Sequence, residues 1–405
     1  MGLLKKLLIF IIIFIFPLGE VARIDFGNGI ASTALDVGVF LIVAVWVIKI
    51  IVYKIHLKFT FKVPILLFLG VCVISLILNI FSYTFFQFFI SSLYLIRYFM
   101  YLCLFFVVKD FSKRDKNHIE KAILVGGGLV LLFGFLQFFL YPSLRNLIYE
   151  GWDQHLYRMF STFLDPNFAG VFFVLYFIYL LSKTLDSLKL KRKKLIIPFV
   201  LLCLFSILAI FLSYSRSAYI MLGIGIITLI SVTRIKKNVL KITIGLGIVG
   251  FLVAILLYKP SEGTNLFRTV STSARVGDMQ NAVNIFLKSP IYGIGFNSYR
   301  YAQKKIGVFS PLDETWDVGH GNAGADNSFL FVLATTGLVG FFAFIYMWYS
   351  IISKTIYKTR FGNIHGKLLL SSIISLFFGS IFINSLFFPL ILFWLWIVMG
   401  LMDYT

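Results

Sequence analysis

Residues 191–218 read KRKKLIIPFVLLCLFSILAIFLSYSRSA, and this stretch decides the fold. Four cations, Lys191, Arg192, Lys193 and Lys194, precede an apolar run that lasts to Leu212. The run approaches the roughly 20 residues needed to cross a hydrocarbon core. The basic cluster marks the cytoplasmic end of a span under the positive-inside rule. The polar tract Ser213-Tyr-Ser-Arg-Ser217 then turns the chain, and a second apolar run begins almost at once.

The same pattern recurs along all 405 residues, of which 60% are apolar and 13% charged, with a mean hydropathy of +0.94. Soluble domains carry roughly 25% charged residues, so the solvent of this chain is lipid. Apolar runs predict spans over 4–19, 35–53, 63–80, 84–108, 119–140, 167–182, 195–213, 217–232, 239–258, 327–352, 367–384 and 386–401. The expected fold is all-α: a polytopic bundle of about twelve transmembrane helices. It forms one membrane domain over 1–405, with a long extracytoplasmic loop at 259–326 between the ninth and tenth spans. The first run, Leu7 to Leu18, lacks a clean cleavage site and is expected to remain as a helix.

With the N-terminus in the cytoplasm, the cytoplasmic segments collect 25 of the 37 lysines and arginines. The outer side collects eleven, seven of them in the loop 259–326, which the rule discounts because long loops translocate regardless of charge. Both termini are therefore expected inside. The net charge of +20 lies in short clusters between apolar runs and not in an aromatic-interleaved basic domain, so no nucleic-acid partner is expected. Cys72, Cys103 and Cys203 fall inside apolar runs without ligand spacing, which speaks against disulfides and structural zinc.

Polar residues concentrate on the expected outer side. Asp165 and Pro166 read as N-cap and first residue of the sixth helix, with Asn167 behind them. Arg216 stands among three serines at the tight junction 213–217, whose hydroxyls and turn would form a small anion pocket. In the long loop, Val276, Met279, Val283, Phe286 and Leu287 repeat at helical spacing, predicting an amphipathic helix along the membrane surface that Pro290 ends. Arg275 lies at its start, where a cation gains nothing from the helix dipole. Gly293-Ile-Gly295 reads as a turn. His320, Asp326 and Asn327 bring one candidate base and two hydrogen-bonding groups to the mouth of the tenth span. Arg97, in the middle of the fourth span, must face protein or a wet cavity, as an interhelical partner or as support for the site. Arg158 and Arg300 are weaker candidates that read first as surface residues. The carboxylates Asp313, Glu314 and Asp317 read as a solvated loop, and no metal or cofactor is expected.

Taken in order over 163–340, these motifs resemble the O-antigen ligase and polymerase superfamily of membrane glycan transferases. The set is a Pro-Asn helix start, a Ser-Arg junction, a long outer loop with Arg, amphipathic helix and Pro-x-x-Gly-x-Gly, then a polar-Asn-x-x-Leu start and Gly-x-x-Gly. Ligases of that family usually carry histidine before the asparagine, where this chain has Asp326, and that departure leans toward polymerases. The resemblance implies an undecaprenyl-pyrophosphate-linked glycan as donor, a second glycan as acceptor, and transfer on the outer face of a bacterial cytoplasmic membrane. It further implies Arg216 and Arg275 on the pyrophosphate, Asp326 or His320 as base, and flippase and chain-length regulator proteins as partners. Ligase-type transfer to a lipid core or protein is the nearest alternative. A lipid-glycan flippase is a third reading, but it calls for related halves and a central charged pathway.

Overall fold

The computed structural model describes residues 2–27, 30–54, 60–233, 237–305, 307, 324–360 and 364–402. Each of the twelve predicted runs coincides with helix. The first is α1 (Gly2–Phe10), which continues through a π turn and a 3-10 segment to Ala22. There follow α2 (Ala34–Val52), α3 (Lys62–Leu78), α4 (Phe85–Lys109), α5 (Lys113–Leu140), α6 (Pro166–Lys189), α7 (Lys193–Leu212), α8 (Arg216–Thr233) and α9 (Lys237–Leu256). Then come α10 (Val270–Lys288), α11 (Tyr299–Lys305), α12 (Ser328–Arg360), α13 (Ile364–Gly379) and α14 (Pro389–Leu401).

Eight of these helices, counting Gly2–Ala22 as one, are long and apolar enough to cross a membrane. Four more are apolar but shorter: Lys62–Leu78, Gly245–Leu256, His365–Gly379 and Pro389–Leu401. Irregular turns at 80–82 and 385–387 shorten two of the predicted runs. A strictly all-helical expectation also misses a short antiparallel hairpin, β1 (Arg23–Asp25) on β2 (Ala31–Thr33).

Local sequence sets the helix starts. Thr33 and Asp36 form a capping box on α2, as do Thr84 and Gln87 on α4, while Ser112 caps α5. Asp165 caps α6 as the sequence predicts, accepting from the N–H of Asn167 at 2.6 Å and of Phe168 at 3.2 Å. The centre of the bundle is made by α6 and α14, buried along almost their whole length. Trp394 of α14 meets Phe172, Tyr176 and Tyr179 of α6 edge-on at 5.2–5.8 Å between centroids. Gly170 brings α6 against Ser213, Ser215 and Ala218 of the α7–α8 junction, where an added Cβ would already touch all three. At the far end of the bundle Glu120 of α5 receives Lys183 of α6 at 2.6 Å and lies 3.0 Å from His365 of α13.

One feature positions everything at the other end. Helix α12 breaks at Gly337 (φ 66°, ψ −168°), releasing backbone groups inside the bundle. Such groups must find partners where water is absent. The segment Pro290–Gly295 supplies them: Leu338 N–H donates to Pro290 at 2.8 Å and Val339 N–H to Ile291 at 3.2 Å. In the opposite direction Ile294 and Gly295 donate to the carbonyls of Ala334 and Thr335 at 3.2 and 3.0 Å. Ser75 of α3 and Asn79, which ends that helix, close the joint, donating to the carbonyls of Thr335 at 2.8 Å and of Gly293 at 3.0 Å. Gly293 and Gly337 both have positive φ, and a Cβ on either would overlap the opposing backbone. The Gly-x-Gly and Gly-x-x-Gly motifs are thus two halves of one contact.

Replacing Gly337 or Gly293 by valine should destabilise the protein by at least about 1–3 kcal/mol through backbone strain alone. Lower melting temperature of the detergent-purified variants, with Gly277→Val as an unstrained control in open space, is the measurement.

Candidate functional site

The joint holds α10 against the start of α12, and there the sequence-predicted residues meet. Helix α10 begins at Val270, earlier than its hydrophobic spacing suggests, so Arg275 sits in its second turn and not at its start. Its Ala282 and Ile285 are buried against the protein, whereas Val276, Val283 and Leu287 are 40–64% exposed. Three of the five apolar residues read from the sequence thus face away from the bundle, while Phe286 packs against its core. Arg275 and Asp278 lie on the inner side, half-buried.

Arg216, the first residue of α8, reaches the first turn of α10, donating to Thr272 Oγ1 at 3.0 Å and Ser271 Oγ at 3.1 Å. Burial pulls Arg275 downward, the Asp326 charge opposes that, and the Arg216 charge adds to the lowering. Among the described residues Arg275 has no hydrogen-bond or ion-pair partner.

Two further arginines stand with them. Arg158, only 4% exposed, donates to the carbonyl of Ser213 at 2.9 Å, to that of Tyr214 at 3.4 Å and to Asn167 Oδ1 at 3.2 Å. Arg268, 6% exposed, donates to Gly263 and Asn265 at 3.0 and 3.1 Å and shares the Tyr214 carbonyl at 3.4 Å. Burial, followed by the Arg268 charge, presses Arg158 down to about 9, which still leaves it a cation at neutral pH. The surface reading of Arg158 is overturned: the carbonyls of the α7–α8 junction bind it inside the protein. The expected role of the serines there is corrected too. Ser213, Ser215 and Ser217 are buried and bond to Ile210 and to one another, so they build the turn, and its carbonyls hold the arginines.

None of these four guanidinium groups is in an ion pair with a described carboxylate. Burying unpaired cations is costly unless an anion joins them. The nearby acids serve other ends. Asp165 caps α6 and lies 3.9 Å from His155 Nε2. Burial, with Arg158 and Arg268, lowers His155 against the pull of Asp165 and Asp153, keeping the imidazole neutral at pH 7. Asp278 accepts the backbone N–H of Asp326 at 2.6 Å and faces the Tyr299 hydroxyl at 3.5 Å. Burial raises Asp278. Burial first, then the charge of Asp278, raises Asp326 to about 6, with Arg275 opposing. That value suits a group required to take and release a proton near neutrality.

The remaining sequence candidates divide. Asn167 supports Arg158. Asn327 is buried and caps α12, accepting from Phe329 and Leu330 at 2.8 and 3.0 Å. Arg300 is half-buried on α11. Arg97 stands apart from the cluster in a bidentate pair with Asp36, both bonds 2.7 Å, which Tyr101 also joins at 2.8 Å. It ties α4 to the capping box of α2. His320, Asp313, Glu314 and Asp317 lie outside the described residues. His155, Arg268 and Asp278 are members that sequence reasoning missed.

Two measurements check this geometry. Titrated by carbon-13 NMR, Asp326 should change charge near pH 6; Arg275→Ala should move the midpoint up, by removing a cation, and Asp278→Asn should move it down. Arg97→Ala should cost about 3–5 kcal/mol by stranding Asp36, seen as loss of folded protein, whereas pairing it with Asp36→Leu should restore much of the yield.

Residues 199–345 match the family model described as O-antigen ligase. The match takes in Arg216, Arg268, Arg275, Asp278 and Asp326 and stops short of His155, Arg158 and Asp165. No curated protein matches the chain.

Proposed function

On the premise that this is a multi-pass membrane protein of O-antigen ligase and polymerase type, which the match over 199–345 supports, we propose that it polymerises lipid-linked oligosaccharide repeat units. The donor is a glycan on undecaprenyl pyrophosphate, and the reaction runs on the extracytoplasmic face of the cytoplasmic membrane. In this reading all twelve apolar helices are spans, the four short ones included, both termini are cytoplasmic, and 259–326 is an extracytoplasmic loop.

The observation that carries the proposal is the cluster of four buried or half-buried arginines without carboxylate partners, beside a carboxyl group raised to about 6. A pyrophosphate supplies the missing negative charge, and the planar guanidinium fork holds two phosphate oxygens at once. Arg275, whose donors are free, and Arg216 bind the pyrophosphate; Arg158 and Arg268, committed to backbone carbonyls, act by their field. The acceptor hydroxyl attacks C1 of the donor's first sugar, the bond from C1 to the pyrophosphate oxygen breaks, and the hydroxyl proton passes to Asp326. Charge accumulating on the leaving group is what the arginines stabilise. No resident cofactor is assigned a part, and His320 is not required in this scheme.

Transfer of a finished glycan to a lipid core or a protein is the second reading, favoured by the description of the matching family as ligase. Its donor site would be the same. A chromosomal deletion separates the two: loss of a polymerase leaves single repeat units at the surface, and loss of a ligase leaves long chains on the lipid carrier.

Arg275→Ala and Arg216→Ala should each lower polymer formation on the order of 10²-fold at normal protein level, as for loss of one transition-state donor. Arg275→Lys should recover only part. Asp326→Asn should abolish transfer, and in the unaltered protein the rate should fall as pH drops through about 6, because the protonated carboxyl cannot accept. Normal polymer in Asp326→Asn cells together with loss in His320→Ala cells would move the base to His320.

A further inference from the structure

A cavity of about 780 Å³ opens next to the arginine cluster and contains none of its arginines. Its size is that of a small-ligand site, roughly 300–1,000 Å³. The walls come from the end of the first helix, the β1–β2 hairpin, the last turns of α5 and the segment 141–164. Glu20, Asp25 and Glu150 line it with one cation, Arg23, and with the aromatic rings of Tyr149 and Trp152. The charge balance is thus opposite to that of the neighbouring cluster.

The two places are adjacent along one piece of chain. Leu164 lines the cavity and Asp165, the next residue, sits in the cluster; Trp152 lines the cavity and His155 faces Asp165. Gln137 at the end of α5 fixes this segment. Its Oε1 accepts from Phe160 and Ser161 at 2.9 and 3.1 Å, and its Nε2 donates to Tyr141 and Arg158 at 3.0 and 3.3 Å. Arg23 organises the cavity itself, 3.5 Å from both Glu20 and Asp25 and 6.0 Å from the centroid of Trp152.

Carboxylates accept hydrogen bonds and donate none, so they suit a ligand rich in hydroxyl or ammonium donors and repel phosphate and uronate. Aromatic faces suit the flat C–H face of a pyranose ring. We propose that this cavity is a glycan subsite for uncharged or amino-bearing sugars, placed so that phosphate lies in the arginine cluster while sugar lies here. The proposal rests on the glycan-transfer reading above and adds to it a sugar class: chains built wholly of acidic residues are excluded.

The test uses the full chain in lipid nanodiscs and three free trisaccharides without lipid or phosphate: the trimers of N-acetylglucosamine, glucosamine and galacturonic acid. Saturation-transfer NMR should detect binding of the first two and not the third. Glu150→Gln, at an exposed position, and Trp152→Ala should each weaken binding about tenfold; Trp152→Phe should retain it, which separates loss of the ring face from loss of folding. Arg275→Ala should leave trimer binding in place. Equal binding of the galacturonate trimer, or unchanged binding in both Glu150→Gln and Trp152→Ala, overturns the subsite. So does binding of the glucosamine trimer alone with displacement by polylysine, which would mark a cationic-peptide site. Failure of the transfer reading shows itself separately, as normal polymer in Arg275→Ala cells.

Discussion

A helix interrupted away from water must have its freed N–H and C=O groups met by other backbone, and the rest of the site depends on how α12 meets that demand at Gly337. The partner is a six-residue stretch, Pro290–Gly295, that immediately follows α10. Because the exchange of hydrogen bonds runs both ways along Ala334–Val339, it fixes position and direction together, and α10 has little freedom left. Asp278 can then accept the N–H of Asp326, and Arg275 comes beside both. A motif pair with no ligand chemistry of its own is what assembles the groups that have it.

The second constraint is electrostatic. Arg158 and Arg268 are almost fully buried, and the protein offers them carbonyl oxygens in place of carboxylates. Carbonyl dipoles satisfy the donors without cancelling the charge, so a positive field persists in a region of low dielectric. Arg97 makes the contrast plain. It too is drawn into the bundle, but Asp36 neutralises it with two bonds of 2.7 Å, and its contribution ends at holding α2 to α4. The difference between a neutralised arginine and one that keeps its field lies in the partner, which local sequence does not display.

That limit explains what could be read from the chain alone. The twelve apolar runs, the Asp165 cap, the amphipathic α10 and the gathering of Arg216, Arg275 and Asp326 at one end all follow from hydropathy and helix chemistry, which act over a few turns. The pairing of Gly293 with Gly337 is a contact between segments some forty residues apart, and each half alone resembles an ordinary turn. Arg158 read first as a surface residue and Arg268 drew no reading; the α7–α8 junction, distant in sequence, holds the first by its carbonyls and shares that of Tyr214 with the second. One signal was available for Arg158, which falls in a short segment on the side expected to be poor in cations, where each remaining arginine calls for a reason; Arg268 lies in the long loop whose charge the rule discounts.

The segment 141–165 joins these themes. Bound to Gln137 at one end of α5 and to α6 through the Asp165 cap, it presents Arg158 inward to the cationic cluster and Glu150 and Trp152 to a cavity of opposite character. A lipid-linked glycan has the same division, anionic at the diphosphate and hydroxyl-rich beyond it. Because a short connected segment contributes to both regions, their spacing is held by covalent geometry and a few hydrogen bonds instead of by the packing of distant helices. Precision of that kind would serve the transfer proposed above, since an error of an ångström in placing an attacking hydroxyl costs rate steeply.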